Sequence, residues 1–452
     1  MRFTIKEKQV EVRKEVDILV VGGGPAGVGA AVAAARSGKS VMLLEKRGFL
    51  GGNITGSYVE TCNHFLHGTS FKANGIYAEI EKKYREQYGN SHDIRTHRPH
   101  RFSSEYLKIF LDEFLLKEGV EIKFHSFVND VVIEDDKIQC VIIQSKKGPL
   151  AIKANVIIDA TGDADVAYSA GVPFEQGRDK DGLCQPGTLN FRLAGANVEK
   201  LTGTGDVDML NVIGKQFKED YRAGKTGLNC KRQDLPFGRL TKGGQISYVN
   251  YPCVYKIDPT DVDGLTKGEI DSRQYIMEFY EYAKKNFEGF EDIELASIAH
   301  EIGFRDSRRV KGLYRLTKED IEAQTVFEDA IAVYPRIYDM LAPDGYMDGD
   351  GKMEGEGYKG HIYEPITDER SYTIPYRSLL PVGVKNLLVA GRCISADHVA
   401  ESSIRGISCC MLTGQAAGAA AGLALKDRVA PKDVDIKKLQ DILRNQGVNL
   451  PE

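Results

Sequence analysis

A chain of 452 residues, 42% hydrophobic and 28% charged, has an ordinary folded composition and length enough for two domains and a large core. Its formal net charge of -5 is small for this size and argues against a nucleic-acid-binding surface or a polyanionic tail. The eight cysteines (Cys62, Cys140, Cys184, Cys230, Cys253, Cys393, Cys409, Cys410) form no C-x-x-C pair, so no zinc ribbon, iron–sulfur cluster or dithiol relay is expected, and no metal.

Met1 to Glu15 is charged and alternating, without the apolar core of a secretory signal. With scattered thiols, this makes a cytoplasmic protein the expectation. Asp17-Ile18-Leu19-Val20-Val21 then reads as a buried parallel strand. Gly22-Gly23-Gly24-Pro25-Ala26-Gly27 follows at once, then a small-residue helix, Val28 to Ser37, stopped by Gly38. A second apolar run, Ser40 to Leu44, ends on Glu45. This is a complete strand–turn–helix–strand–acid unit. Gly22 permits the tight turn, Gly24 lets the backbone approach a pyrophosphate, and Gly27 allows close helix–strand packing. The helix N-terminus offers N–H groups to phosphates, and Glu45 is placed for the hydroxyls of an adenosine ribose. A dinucleotide site is expected here.

Lys46 to Asn53 forms a second glycine-rich loop, with Gly51 and Gly52. Residues 103–118 read as a helix capped by Ser103 or Ser104 and ended by Gly119, with an apolar stripe at Leu107, Phe110, Leu111, Phe114 and Leu115. Short alternating strands follow: Val120–His125 with Val128–Ile133, then Ile138–Gln144 and Leu150–Lys153, with Asp135-Asp136 and Lys147-Gly148 at the hairpins. A buried run resumes at Val156 and ends in Ala160-Thr161-Gly162-Asp163. The Asp/Gly-rich stretch Asp344–Gly360 reads as a lid. From Gly406 to Leu425 no residue is charged, which approaches a membrane-spanning length. Its bulk is Ala and Gly, however, and Gly414, Gly418 and Gly422 put a glycine stripe on one helical face. A buried helix set close against a sheet or a ligand is expected, not a membrane span. A short helix ends the chain after Pro431.

The N-terminal unit, the meander and three later segments carry a resemblance. Those segments are Gly303-Phe304-Arg305-Asp306-Ser307-Arg308-Arg309, Ile374-Pro375-Tyr376-Arg377-Ser378-Leu379-Leu380-Pro381, and Asn386 to Ala396 continued by Gly414-Gln415-Ala416-Ala417-Gly418. With them the chain resembles the FAD-dependent oxidoreductases, flavoproteins related to glutathione reductase and fumarate reductase. The resemblance implies an α/β fold: a Rossmann-like FAD-binding domain (an FAD/NAD(P)-binding fold with a β-meander) plus an inserted α+β substrate domain. It divides the chain into 1–175 and 366–430 for FAD, 176–365 for the substrate, and a tail helix over 431–452. It places Gly22, Gly24, Pro25, Ala26, Gly27 and Glu45 on the AMP half, with Lys46 or Arg47 nearby. Gly51, Gly52 and Asn53 line the path to the ring, Val128 meets the adenine through its backbone, and Ala160, Thr161 and Gly162 close over the nucleotide. Gly391-Arg392 stands where many relatives carry Ala-Gly-Asp, so a guanidinium is expected to pair with the pyrophosphate. The glycine-striped helix after Ser403 is expected to aim its N-terminus at the flavin pyrimidine edge, with Gly406 among the cofactor contacts.

Chemistry is expected from the flavin, with protein groups moving protons and holding substrate. His398 is the first candidate for proton transfer, followed by His64 and His67 beside Tyr58 and Cys62. Arg305 and Arg377, with Arg308, Arg309 and Arg405, either clamp a carboxylate substrate or form internal salt bridges to Asp306, Glu301 or Glu401. Cys409-Cys410 reads as buried packing rather than a redox pair. No second G-x-G-x-x-G is present, so a flavin-only oxidoreductase is expected, exchanging electrons between a small organic substrate and an external donor or acceptor. A monooxygenase and a non-catalytic flavin-fold binding protein are the alternatives.

Overall fold

The computed structural model describes residues 9–60, 74–89, 102–202, 209–335, 338–345, 353–354, 357–358, 361–363 and 371–451. Its first half runs β1 (Val12–Val21), α1 (Pro25–Ala35), β2 (Val41–Leu44), the helical turn α2 (Asn53–Gly56), α3 (Gly75–Tyr88) and α4 (Ser104–Lys117). It continues with β3 (Glu121–Lys123), β4 (Phe127–Glu134), β5 (Lys137–Ser145) and β6 (Gly148–Asp159). These strands form one sheet in the order β3-β2-β1-β6-β5-β4. β1 pairs in parallel with β2, from Ile18 opposite Val41 to Val21 opposite Leu44, as apolar runs covered on both faces should.

β6 organises the sheet. Its first half pairs antiparallel with β5, and its last residues, Ile157–Asp159, pair in parallel with the late strand Leu387–Val389. β1 runs along its other side from Val12 to Val21. The sequence pattern separates Leu150–Lys153 from the run at Val156. The two are one strand because Ala154, in register with Val16, carries the pairing with β1 across the gap. A second difference concerns Val120–His125, expected as a meander strand. Only Glu121–Lys123 is extended, and it pairs in parallel with β2, since alternation does not specify the direction of a partner. The late strand brings residues near the end of the chain beside the first nucleotide unit.

The expected cap of α4 differs too. Ser103 takes the N-cap position without a side-chain capping bond, while Ser104 donates through its N–H and Oγ to Glu60 at 2.9 and 2.6 Å. A second apolar core gathers Phe191, Leu193, Phe217, Ile246, Phe279, Phe287 and Phe290. It lies around the strands Phe191–Ala194, Ile246–Val249 and Glu294–Ile298 and the helix Val262–Asn286.

The helix Ile407–Asp427 is long and apolar enough to cross a membrane by length and composition, yet 94% of its apolar stretch is buried inside the protein. Its glycine stripe packs on α1, not on a sheet or a ligand. A Cβ on Gly418 would lie 2.2 Å from the carbonyl oxygen of Ala30. The tail forms the helix Ile436–Asn445, capped by the Asp435 side chain.

Candidate active site

The glycine turn after β1 divides its labour. Gly22 has φ +100°, and a Cβ there would lie 2.4 Å from the Ala160 carbonyl oxygen; one on Gly27 would lie 1.7 Å from the Gly22 oxygen. Both positions therefore serve the turn itself. Gly24 is different: a Cβ there would meet nothing nearer than the Gly52 Cα, at 3.8 Å, so the space beside its backbone is open. Glu45, 3% exposed, accepts the Gly23 N–H at 2.7 Å through Oε2 and the Arg47 N–H at 2.8 Å through Oε1. Each carboxylate oxygen keeps further acceptor capacity for hydroxyls. Glu45 thus ties the glycine turn to the β2 loop, a role its spacing alone does not reveal.

A cleft of about 300 Å³ opens along this surface. The turn and α1 contribute Gly22, Gly24, Pro25 and Ala26, and the β2 loop contributes Glu45, Lys46 and Arg47. Gly52 and Asn53 line it from the start of α2, Val128 from β4, Ala160, Thr161 and Gly162 from the turn after β6, and Gly391 and Arg392 from the loop after Leu387–Val389. Gly27, Gly51 and Gly406 stand beside the cleft rather than on it. The Gly51 N–H donates to the Gly23 oxygen at 2.8 Å, and Gly406 is the N-cap of the helix Ile407–Asp427. Open backbone at Gly24, a helix N-terminus and a buried carboxylate at Glu45 suit an extended dinucleotide.

Sequence reasoning missed the opposite wall. Pro259, Leu265, Glu269, Glu301, Ile302 and Phe304 line the cleft from the second core's side, joined by Asp163, Arg405, Ile407 and Cys410. Among these, Arg405 was named from sequence as a candidate carboxylate clamp, Phe304 was visible only as part of a resembling segment, and Glu301 only as a salt-bridge partner. Glu301 forms an ion pair with Arg47, so a salt bridge joins the two walls.

Arg392 is committed within the protein. It pairs with Asp163 and donates to Ser307 Oγ at 2.9 Å, while Ser307 donates to Asp163 at 2.7 Å. Burial works against the Asp163 charge, but Arg392 and Lys46 outweigh it and hold that carboxyl below its ordinary value. Burial and then the Asp163 charge push Asp165 up. The cleft presents an Arg–Asp pair where a lone guanidinium was expected.

His398 begins the helix His398–Ile404 and is buried, with Nδ1 3.0 Å from Asp306 Oδ2. It is not among the residues lining the cleft. Asp306 also accepts from Arg309 at 2.8 Å; against the cost of burial, Arg309 and His398 hold its carboxyl down to about 2. Arg308 pairs with Asp165 at 3.1 Å and Arg405 with Asp339 at 3.4 Å. Arg377 pairs with Asp329 at 2.9 Å, leaves 48% of its side chain exposed, and does not line the cleft. The salt-bridge alternative therefore describes Arg308, Arg309, Arg377 and Arg405, mostly with acids other than those named from sequence.

Arg305 stands apart. It donates to the Pro186 carbonyl at 2.7 Å and to Thr188 Oγ1 at 2.9 Å, and no carboxylate among the described residues lies within ion-pair distance. Burial lowers its pKa, with Arg232 and Arg405 acting in the same direction. His64, His67 and Cys62 lie outside the described residues, as does most of the Asp344–Gly360 stretch. Cys409 and Cys410 are buried free thiols. Burial pushes the Cys410 thiol up to about 12, and its Sγ lies 3.3 Å from the Arg405 carbonyl oxygen.

Comparison with known proteins adds to this geometry. The sequence model of the family described as FAD dependent oxidoreductase matches residues 17–443. Thiamine thiazole synthase of Methanococcus vannielii is 30% identical over 163 residues, covering 34% of this chain and 58% of that protein. A flavin-dependent halogenase of Armillaria mellea is 30% identical over 129 residues, 26% of this chain and 25% of that protein. The chain thus spans just over half the length of the first relative and a quarter of the second. Among solved structures, a geranylgeranyl bacteriochlorophyll reductase-like protein of Thermoplasma acidophilum aligns over 96% of this chain and 84% of its own, with 13% identity and a TM-score of 0.45.

Proposed function

The chain belongs to the family of FAD dependent oxidoreductases, and from that premise we propose that it passes electrons between a small carboxylate-bearing substrate and a diffusible partner. Bound FAD supplies the electron transfer. The chain's own groups position it. The open backbone at Gly24 and the N-terminus of α1 take the pyrophosphate, Glu45 takes the ribose hydroxyls, and Val128 borders the adenine. Lys46, Gly52, Asn53, Gly162 and Gly391 complete the cradle. The Arg392–Asp163 pair adds a fixed dipole, and the Arg47–Glu301 bridge joins the two walls of the cleft.

The substrate class rests on Arg305. A partly buried guanidinium that donates to a carbonyl and a hydroxyl, with no carboxylate among the described residues at ion-pair distance and only the Asp339 charge acting on it from farther off, keeps a charge that is incompletely balanced. A carboxylate substrate supplies that balance and suits the guanidinium's paired donors. Arg405, which lines the cleft while pairing with Asp339, is the second contact. His398 acts behind this site by holding Asp306.

The test is an anaerobic titration of the yellow protein with a metabolite panel containing carboxylic acids and their methyl esters, followed by bleaching of the flavin's visible band. Acids should bleach the flavin and their esters should not. Equal bleaching by esters, or a purified protein that releases no FAD on denaturation, overturns the reading.

A further inference from the structure

The helix that begins at His398 carries a second acid one turn later. Glu401 has no exposed surface. Its Oε2 accepts from Gln185 Nε2 at 3.4 Å, and its Oε1 has no hydrogen-bond partner among the described residues. The backbone N–H of the same Gln185 points to Asp306 Oδ2, also at 3.4 Å. Two buried acids thus share one glutamine, but they are unequally provided for. Asp306 has Arg309 and His398 at pairing distance, whereas among the described residues Glu401 has only the long amide contact. An ionised carboxylate so placed bears most of the cost of lost hydration; a protonated one does not.

The groups facing Glu401 come from several segments. Asp306 and Arg309 lie at and just before the strand Arg308–Val310, and Arg392 lies in the loop after Leu387–Val389. Cys184 comes from the segment preceding Gly187, Cys410 from the helix Ile407–Asp427, and Arg405 from the end of its own helix. Burial and then the Asp306 charge push Glu401 up to about 8, against Arg405, Arg309 and Arg392. Arg405 connects this acid to the cleft. It lines the cleft, donates to the Asp339 carbonyl at 2.6 Å, pairs with the Asp339 carboxylate at 3.4 Å, and keeps a buried Nε without a hydrogen-bond partner among the described residues.

We propose that Glu401 is a buried proton-holding residue that sets how much of the Arg405 charge is offered to an anion in the cleft. With Glu401 neutral, Asp339 is the one acid among the described residues that shares the guanidinium with the anion; ionised Glu401, one helical turn from Arg405, adds a second competing charge. The proton passes to solvent and no covalent bond changes. Glu401 is a positioning residue, since it acts through Arg405, and the inference rests on the reading of Arg305 and Arg405 as the anion contact.

Two measurements on FAD-loaded protein test it. In a pH-difference infrared titration, the wild type should lose a protonated-carboxyl C=O band with a midpoint near 8, and Glu401→Gln should lack that band. With benzoate as probe, read through the flavin visible spectrum, the wild-type dissociation constant should rise about tenfold through the same midpoint. In Glu401→Gln it should stay flat. A titrating band that survives in the variant, or no such band in the wild type, overturns the assignment. So does benzoate affinity that ignores pH while the band titrates. Failure of benzoate to bind at any pH overturns the anion reading and its control by Glu401, while the infrared band still reports separately whether Glu401 holds a proton. Both wild-type titrations stand even where the variant does not fold.

Discussion

The backbones of Gly414 and Ala26 touch: a Cβ on Gly414 would lie 1.9 Å from the Ala26 carbonyl oxygen. Only glycine permits two helices to approach so closely. The contact matters beyond packing, because Ala26 stands on one wall of the cleft and Ile407 and Cys410, from the partnering helix, stand on another. Gly418 continues the seam at Ala30. Since the opposing atoms are backbone, they cannot turn aside as a side chain would. Gly418→Val should cost at least the ~1–3 kcal/mol of ordinary overpacking, seen as a fall in melting temperature of several degrees and a matching loss of bound FAD. An unchanged melt would place the helices farther apart than described.

Gly24 and Gly22, two residues apart, should respond in opposite ways. The open space beside Gly24 predicts that Gly24→Val folds with a near-normal circular dichroism spectrum but retains little FAD, because the side chain enters space kept for the cofactor. Gly22→Val forces a β-branched residue to φ +100° and against the Ala160 carbonyl, so folded yield should collapse with or without flavin. Stoichiometric FAD in Gly24→Val removes that position from the cradle.

What could be read in advance follows from how far each relationship reaches along the chain. Asp17 to Glu45 was legible because the turn, helix and acid lie within one local unit with fixed spacing. β6 was read in two pieces because its partners are β1, β5 and a strand near residue 388, and a run's own pattern does not name its partners. The arginines were hardest. Arg392 finds Asp163 229 positions earlier and Arg377 finds Asp329 48 positions earlier, so which guanidinium is left for a ligand depends on tertiary pairing. The wall carrying Glu301, Ile302 and Phe304 was opaque for the same reason.

The Asp306 site should mark the protein's acid limit. In the folded protein its carboxyl is held near 2 against an ordinary 3.8, chiefly by Arg309 once burial is overcome. The folded state therefore binds fewer protons than the unfolded one between these values. Its contribution is complete above the ordinary value and disappears as pH falls through the folded one. Asp306→Asn, which leaves Arg309 and His398 without their acid, should cost about 3–5 kcal/mol at neutral pH. It should also flatten the loss of stability across that acidic window, measured by urea unfolding at stepped pH. A parallel decline in variant and wild type would assign the acid sensitivity elsewhere.

Arg305 and Arg377 offer the sharpest contrast, since sequence reasoning treated them alike. Arg377 is half exposed and pairs with the buried Asp329 away from the cleft, so its loss falls on stability and not on ligand binding. Arg377→Ala should therefore bind FAD normally and match the wild-type half-saturating concentration for any acid that bleaches the flavin. Arg305 does not itself line the cleft but follows Phe304, which does, and it has no acid at ion-pair distance among the described residues. Arg305→Met keeps much of the side-chain volume and removes the charge. If that charge meets a substrate carboxylate, the loss should be of the order of 10- to 100-fold in apparent affinity, as for a charge-assisted hydrogen bond worth ~1.5–3 kcal/mol. The methyl ester of the same acid, which cannot use the charge, should bind the two proteins about equally. An ester that loses as much affinity as its acid would show that Arg305 shapes the pocket rather than reads the carboxylate. A deficit in Arg377→Ala equal to that of Arg305→Met would mean that tertiary pairing does not separate the two guanidiniums.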